Sequence, residues 1–148
     1  MITGIVVALP EELTTLTSKK IDKGRCFFIT DKLLVVYSGA GHVNAKSASE
    51  LLVAKGANRL ISWGCAAALS ESLKPGDLIL ADELIDAGNV VMAASADWLA
   101  YAKNSLAKFV VIQSGRLAES TSIVSSSKEK KQLHAITGAI ALDMESVA

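Results

Sequence analysis

Four stretches of this sequence place residues able to do chemistry directly after an apolar run. Glu12 follows residues 2–9, and Gly39-Ala40-Gly41 follows 33–38. Gly64-Cys65-Ala66-Ala67-Ala68 follows 58–63, while Asp143 and Glu145 follow 138–142. In open α/β sheets, ligands bind outside the carboxyl ends of the strands, so the residues after each strand are the ones to inspect. If these ends converge, two or three carboxylates stand beside backbone that allows close approach. Such carboxylates can accept hydrogen bonds from sugar hydroxyls or take a proton from water. An acidic residue at a helix start is also an ordinary partner of the helix dipole, and that reading stays open for Glu12 and Glu145.

The other reactive types point to less. Ser38-Gly39-Ala40-Gly41 before a helix could cradle an anion on backbone N–H groups, but it fits neither GxGxxG nor the P-loop pattern. A tight turn packing a helix on a sheet is the favoured reading. His42 and His134 have no partners for a triad, and no Gly-x-Ser-x-Gly occurs. Lys19, Lys20, Lys23 and Arg25 read as a solvated basic edge. Cys26 and Cys65 form no CxxC and have no histidine beside them, so no metal site is predicted. They are expected to be reduced thiols, at least one of them buried.

The elements that must position these residues follow from composition and periodicity. The 148 residues are 51% hydrophobic, 20% charged and 5% aromatic, with mean hydropathy +0.39. That excludes a disordered chain and calls for elements covered on both faces, built from Ala, Val, Leu and Ile. Fifteen basic and fifteen acidic residues cancel, which argues against a nucleic-acid partner and for a small polar metabolite. The most apolar stretch, 60–69, is half the length a membrane-spanning helix needs, and the run at 5–9 is too short for a signal peptide. The expectation is a soluble cytoplasmic protein without a membrane span.

Residues 2–9 predict a buried strand, with Pro10 opening a helix. A hairpin turns at Asp31-Lys32 between strands at 25–30 and 33–38, and a helix over 42–55 carries Ala45, Ala48 and Leu52 on one stripe before Gly56. Strands are predicted at 58–63, 77–84, 108–113 and 138–142, with a short one at 122–124. Further helices are predicted at 95–106, with Trp98, Leu99 and Ala102 inward, and at 127–136. A last helix starts at Met144. Strands alternating with helices give an α/β fold around one mainly parallel or mixed sheet.

Three ordered motifs then carry a resemblance. Gly4-Ile5-Val6-Val7-Ala8-Leu9-Pro10-Glu11-Glu12-Leu13 resembles the opening strand and acidic turn of the methylthioadenosine/S-adenosylhomocysteine nucleosidases. Ser38-Gly39-Ala40-Gly41-His42-Val43, Trp63-Gly64-Cys65-Ala66-Ala67-Ala68-Leu69 and Leu73-Lys74-Pro75-Gly76-Asp77 are similar to the central glycine region of the nucleoside phosphorylase and nucleosidase superfamily. Ala139-Ile140-Ala141-Leu142-Asp143-Met144-Glu145-Ser146, after Thr137-Gly138, resembles the late strand of that superfamily in the branch associated with hopanoid biosynthesis.

The resemblance implies a single three-layer α/β domain over residues 1–148, its central sheet flanked by helices and lacking the last elements of the family fold. It implies cleavage of the N-glycosidic bond of an adenine nucleoside with a large 5′ substituent, with adenosylhopane as the hopanoid-branch case. Glu12 matches the residue that activates water, Glu145 the carboxylate that binds ribose hydroxyls, and Met144 the residue packed on the sugar. Ser122, Ile123 and Val124 fall where the family contacts the purine, partly through backbone groups. Cys65, Ala66 and Ala67 stand in the glycine region, where alanines replace two family glycines. Phosphorylase members carry an Arg and a Ser where this chain has Ser62 and Cys65, so hydrolysis is favoured, with inorganic phosphate kept as the alternative co-substrate. No other cofactor is implied, and a homo-oligomer is expected. The family Asp that protonates the leaving purine has no counterpart in this sequence, which is expected to cost about 100- to 10,000-fold in rate. An inactive remnant that binds nucleoside weakly or only self-associates is the alternative.

Overall fold

The computed structural model describes Met1–Ala148 and divides the chain into two compact units. The first comprises Met1–Cys65 with Met144–Ser146 and Ala148; the second comprises Ala66–Asp143 with Val147.

In the first unit, β1 (Ile2–Val7) is the β-branched run at the start of the chain, and α1 (Pro10–Thr14) follows at once with Pro10 in its first turn. β2 (Cys26–Thr30) and β3 (Leu33–Tyr37) form the hairpin expected around Asp31-Lys32. α2 (His42–Ala54) then leads to β4 (Ala57–Ser62). The sheet order is β2-β3-β1-β4, with β1 parallel to both β3 and β4 and β2 antiparallel.

Alternation along β1 and β3 sends side chains to two separate cores. Val6, Leu34 and Val36 pack with Ala45, Ala48 and Leu52, the stripe of α2 foreseen from its spacing. Ile5, Val7 and Val35 pack with Leu13 of α1. Burying each Val or Leu contributes about 1.5–3 kcal/mol, so both faces of this sheet are anchored. Gly4 lets α2 sit close on β1, because a Cβ there would stand 2.9 Å from Leu52 Cδ1.

The second unit holds β5 (Ala67–Ala68), β6 (Leu78–Ile85), β7 (Val91–Ala93), α3 (Ala96–Leu106), β8 (Ile112–Glu119), α4 (Ser127–Thr137) and β9 (Ala141–Asp143). Its sheet order is β5-β9-β8-β6-β7; β8 runs parallel to β6 and β9, and the two outer pairs are antiparallel. The mixed α/β class with flanking helices is as expected, and the strands fall into two sheets.

Several elements differ from expectation. β8 begins at Ile112, because Phe109 and Val111 stand 84% and 77% exposed and do not join the sheet. Residues 122–124 form a loop, not a strand, and the short strands β5 and β7 were not foreseen. α3 has no fully buried residue; Trp98, Leu99 and Ala102 are half-buried. After Met144 the chain makes a turn closed by the Ala148 N–H donating to the Glu145 carbonyl at 3.1 Å, and no helix forms there. Cys26 is half-buried against the α2 core and Cys65 is exposed, so neither thiol is fully buried.

Candidate functional site

The carboxyl ends of the three parallel strands β1, β3 and β4 are the places where chemistry is concentrated in the first unit. Glu12 is the third residue of α1, and only 7% of it is exposed. Its Oε2 accepts from the backbone N–H groups of Ala8 and Leu9, both at 3.0 Å. Its Oε1 accepts from the Cys65 N–H at 2.9 Å. No cation pairs with this carboxylate; backbone dipoles balance its charge. A carboxylate offers about four acceptor positions, so three are occupied and one, on Oε1, is left. Gly64 closes over the group, since a Cβ there would lie 2.5 Å from Oε1. Gly64 is needed for close approach alone, its φ not being positive.

Glu145 lies in the turn after β9 and is half-buried. Its Oε1 accepts from the Gly41 N–H at 2.6 Å, at the start of α2, while Oε2 has only a long 3.3 Å bond from Met144 N–H. The carboxylate thus sits at the positive end of the dipole of a 13-residue helix. Gly41 holds φ 97° and ψ 156°, a combination suited to glycine that aims its N–H at the carboxylate. Oε2 is the side of Glu145 available to hydroxyl donors. The Ser146 hydroxyl donates to the Ser62 hydroxyl at 2.9 Å and ties this turn to the end of β4.

Ser38 is buried, its N–H donating to the Val7 carbonyl at 2.8 Å and its hydroxyl within bonding distance of the Gly39 and Val7 carbonyls at 2.8 and 3.0 Å. It therefore splints β1 to β3 and is not a reactive hydroxyl. Lys23, from the basic cluster, lies across the next residue: a Cβ on Gly39 would collide with Lys23 Cε and stand 2.8 Å from its Nζ.

Four of the residues singled out from the sequence thus belong to one unit: Glu12, Cys65, Met144 and Glu145. Ala66, Ala67, Ser122, Ile123 and Val124 belong to the other. Ala67 pairs with Leu142, Ser122 is exposed, and Ile123 is 87% exposed. The Val124 side chain is buried in the core with Leu69, Ile85 and Leu142, which leaves only its backbone for a ligand. Reasoning from sequence missed the donors that hold the two carboxylates, Ala8, Leu9, Cys65 and Gly41 N–H. The glycines Gly41 and Gly64 were the available signal.

A profile of the phosphorylase superfamily matches residues 3–148. A 5′-methylthioadenosine/S-adenosylhomocysteine nucleosidase of Staphylococcus aureus is 34% identical over 92 residues, which are 55% of this chain and 40% of that relative. The match therefore spans well under half of the curated relative's length. A Helicobacter pylori nucleosidase mutant solved with 5′-methylthioadenosine in its active site superposes with TM-score 0.84 at 22% identity, covering 98% of this chain and 75% of that one. A futalosine hydrolase mutant from the same species gives TM-score 0.83 at 22% identity over 97% of this chain and 79% of that one. The nucleosidase of Neisseria meningitidis with methylthio-immucillin-A gives 0.84 at 20% identity, over 98% and 76%. The shared architecture and the match over residues 3–148 make this chain a member of the phosphorylase superfamily, with a fold like that of the 5′-methylthioadenosine/S-adenosylhomocysteine nucleosidases.

Proposed function

We propose that this chain cleaves the N-glycosidic bond of an adenine nucleoside by hydrolysis. The observation that carries the reading is Glu12: a buried, cation-free carboxylate fixed by three backbone N–H groups with one acceptor position open. Water bound at that position gives its proton to Oε1 while its oxygen bonds to the sugar C1′. The C1′–N9 bond breaks with its electron pair leaving on the purine, which takes a proton from solvent. Glu145 accepts from ribose hydroxyls through Oε2, and its negative charge stabilises the oxocarbenium character that develops at the sugar. Met144, next in chain to this carboxylate, packs on the sugar.

Water is favoured over phosphate because Ser62 stands where phosphorylases carry an Arg, and Ser62 is bonded to Ser146. Without a guanidinium, a phosphate site lacks its strong bidentate contact. Within this reading the 5′ substituent is large. The Asp143-Met144-Glu145-Ser146 sequence supports a hopane-type chain there, which a comparison of adenosylhopane with 5′-methylthioadenosine as substrates tests directly.

Chromatographic detection of free adenine tests the whole reading. Glu12→Gln should lower kcat by about 100- to 10,000-fold, the range for general acid–base catalysis. Glu145→Gln should raise KM, through the lost ribose contact, and also lower kcat, through the lost charge at the developing oxocarbenium. Cleavage unaffected by both substitutions would end the proposal.

A further inference from the structure

α1 has only five residues, too few to hold its own geometry in water. Yet it carries Glu12, whose carboxylate must stay within bonding distance of three separate N–H groups. Leu13, 4% exposed among Ile5, Val7 and Val35, fixes one side of the helix. The other end is fixed by hydrogen bonds. The Trp63 indole Nε1–H donates to Thr15 Oγ1 at 2.9 Å. The Thr15 hydroxyl in turn donates to the Glu12 carbonyl at 2.6 Å. A hydroxyl can accept and donate at once, so Thr15 relays the indole contact onto the main chain of Glu12 itself. Trp63 is also bonded through its own N–H to the Val6 carbonyl at 2.9 Å, and Cys65, two residues on, supplies the N–H that holds Oε1.

We propose that Trp63 and Thr15 form a latch that positions Glu12. Segment 63–65 grips this residue at two points, from Trp63 through Thr15 to its carbonyl and from the Cys65 N–H to its carboxylate. Trp63 is 40% exposed, and its indole N–H is spent on this bond. Both residues are positioning groups and touch no substrate. Only the kinetic consequence of the latch rests on the reading of Glu12 as the base; the positional claim stands on the hydrogen bonds.

Amide hydrogen exchange at Ala8, Leu9 and Cys65 reads the Glu12 carboxylate directly, because those three N–H groups donate to it. In Trp63→Phe and in Thr15→Val, their exchange should quicken by about 2- to 13-fold, the factor matching a net hydrogen-bond worth of ~0.5–1.5 kcal/mol. Thr15→Ser, which keeps the hydroxyl, should restore wild-type rates. Nucleoside turnover should show the same fall in kcat at unchanged KM, with the double variant no worse than either single one. Wild-type exchange at the three amides in both Trp63→Phe and Thr15→Val, with unfolding midpoints confirming intact protein, would overturn the latch. If exchange quickens in both variants but the wild-type protein cleaves no nucleoside, the functional reading fails and the latch stands. If it cleaves, and both variants match it in exchange and kcat, the latch fails and the functional reading stands.

Discussion

Gly64→Ala is the smallest change that should disable Glu12 without touching it. A Cβ built on Gly64 stands 2.5 Å from Glu12 Oε1, 2.8 Å from its Cδ and 3.0 Å from Oε2. Ordinary contact begins at 3.4 Å, so Oε1 must retreat by about 0.9 Å. The carboxylate is not a free end that can swing aside, because N–H groups at 3.0, 3.0 and 2.9 Å hold it. A retreat of that size stretches the Cys65 bond to as much as about 3.8 Å, beyond the range of a hydrogen bond. Losing one hydrogen bond to a charged, buried group costs about 1.5–3 kcal/mol. For a chain of this length that lowers the unfolding midpoint by about 3–12 °C. Because Gly64 has no positive φ, none of this loss comes from backbone strain. Displacing the proposed base should also reduce adenine release by about 100-fold or more. Calorimetry together with chromatography of the released base measures both effects. Shortening the side chain with Glu12→Asp should make the Gly64→Ala stability penalty smaller, since the clash is with the carboxylate. A Gly64→Ala protein with wild-type midpoint and turnover would refute the argument.

Three further outcomes follow from the same geometry. Glu145→Ala leaves the Gly41 N–H without its 2.6 Å partner and should destabilise the protein by about 1–2 kcal/mol, the usual cost of a lost helix cap, measurable by urea unfolding. Gly39→Ala combines a φ of +80° with the contact to Lys23, and should cost about 1–2 kcal/mol from the backbone alone. Added to Lys23→Ala, it should cost less than in the wild type, because only the steric part is relieved. At the surface, Lys131 Nζ lies 2.8 Å from Glu71 Oε1. The hydrogen bond first and the opposite charge second hold Glu71 below its ordinary range and Lys131 above its own. Any help from Glu71 is therefore present above the usual carboxylate value and lost as pH falls through its lowered value. Any help from Lys131 is present below the usual lysine value and lost as pH rises through its raised value. Since both groups are solvated, Glu71→Gln should leave the unfolding midpoint at neutral pH and physiological salt unchanged.

Much of the fold was legible because the first unit follows period and punctuation closely. The continuous apolar runs that became β1 and β3 need cover on both faces, and the Ala45, Ala48 and Leu52 stripe supplies one of them, whereas β4, expected to be buried, lies at the sheet edge and is largely exposed. Glu12 and Glu145 could be found because each follows such a run. β8 was misplaced because its middle, Ser114-Gly115-Arg116, does not look like a strand interior. Gly115 is there because Ile140 Cδ1 would meet a Cβ at 2.9 Å. Arg116 is there because it donates to Glu83 at 2.7 Å and to the Thr137 carbonyl at 2.7 Å. Both reasons are tertiary, and no local pattern announces them. The donors to the two carboxylates are backbone groups, which leave no side-chain signature. The bond between Trp63 and Thr15 joins residues 48 positions apart. The Val124 side chain packs in the core of the second unit, a placement set by tertiary contacts.

The most direct test of the central claim is to incubate this chain with 5′-methylthioadenosine and phosphate in oxygen-18 water and weigh the sugar product. The account predicts free adenine and a methylthioribose carrying one heavy oxygen, with neither formed by Glu12→Gln. A sugar 1-phosphate, or both 5′-methylthioadenosine and adenosylhopane left intact by demonstrably folded protein, would contradict it.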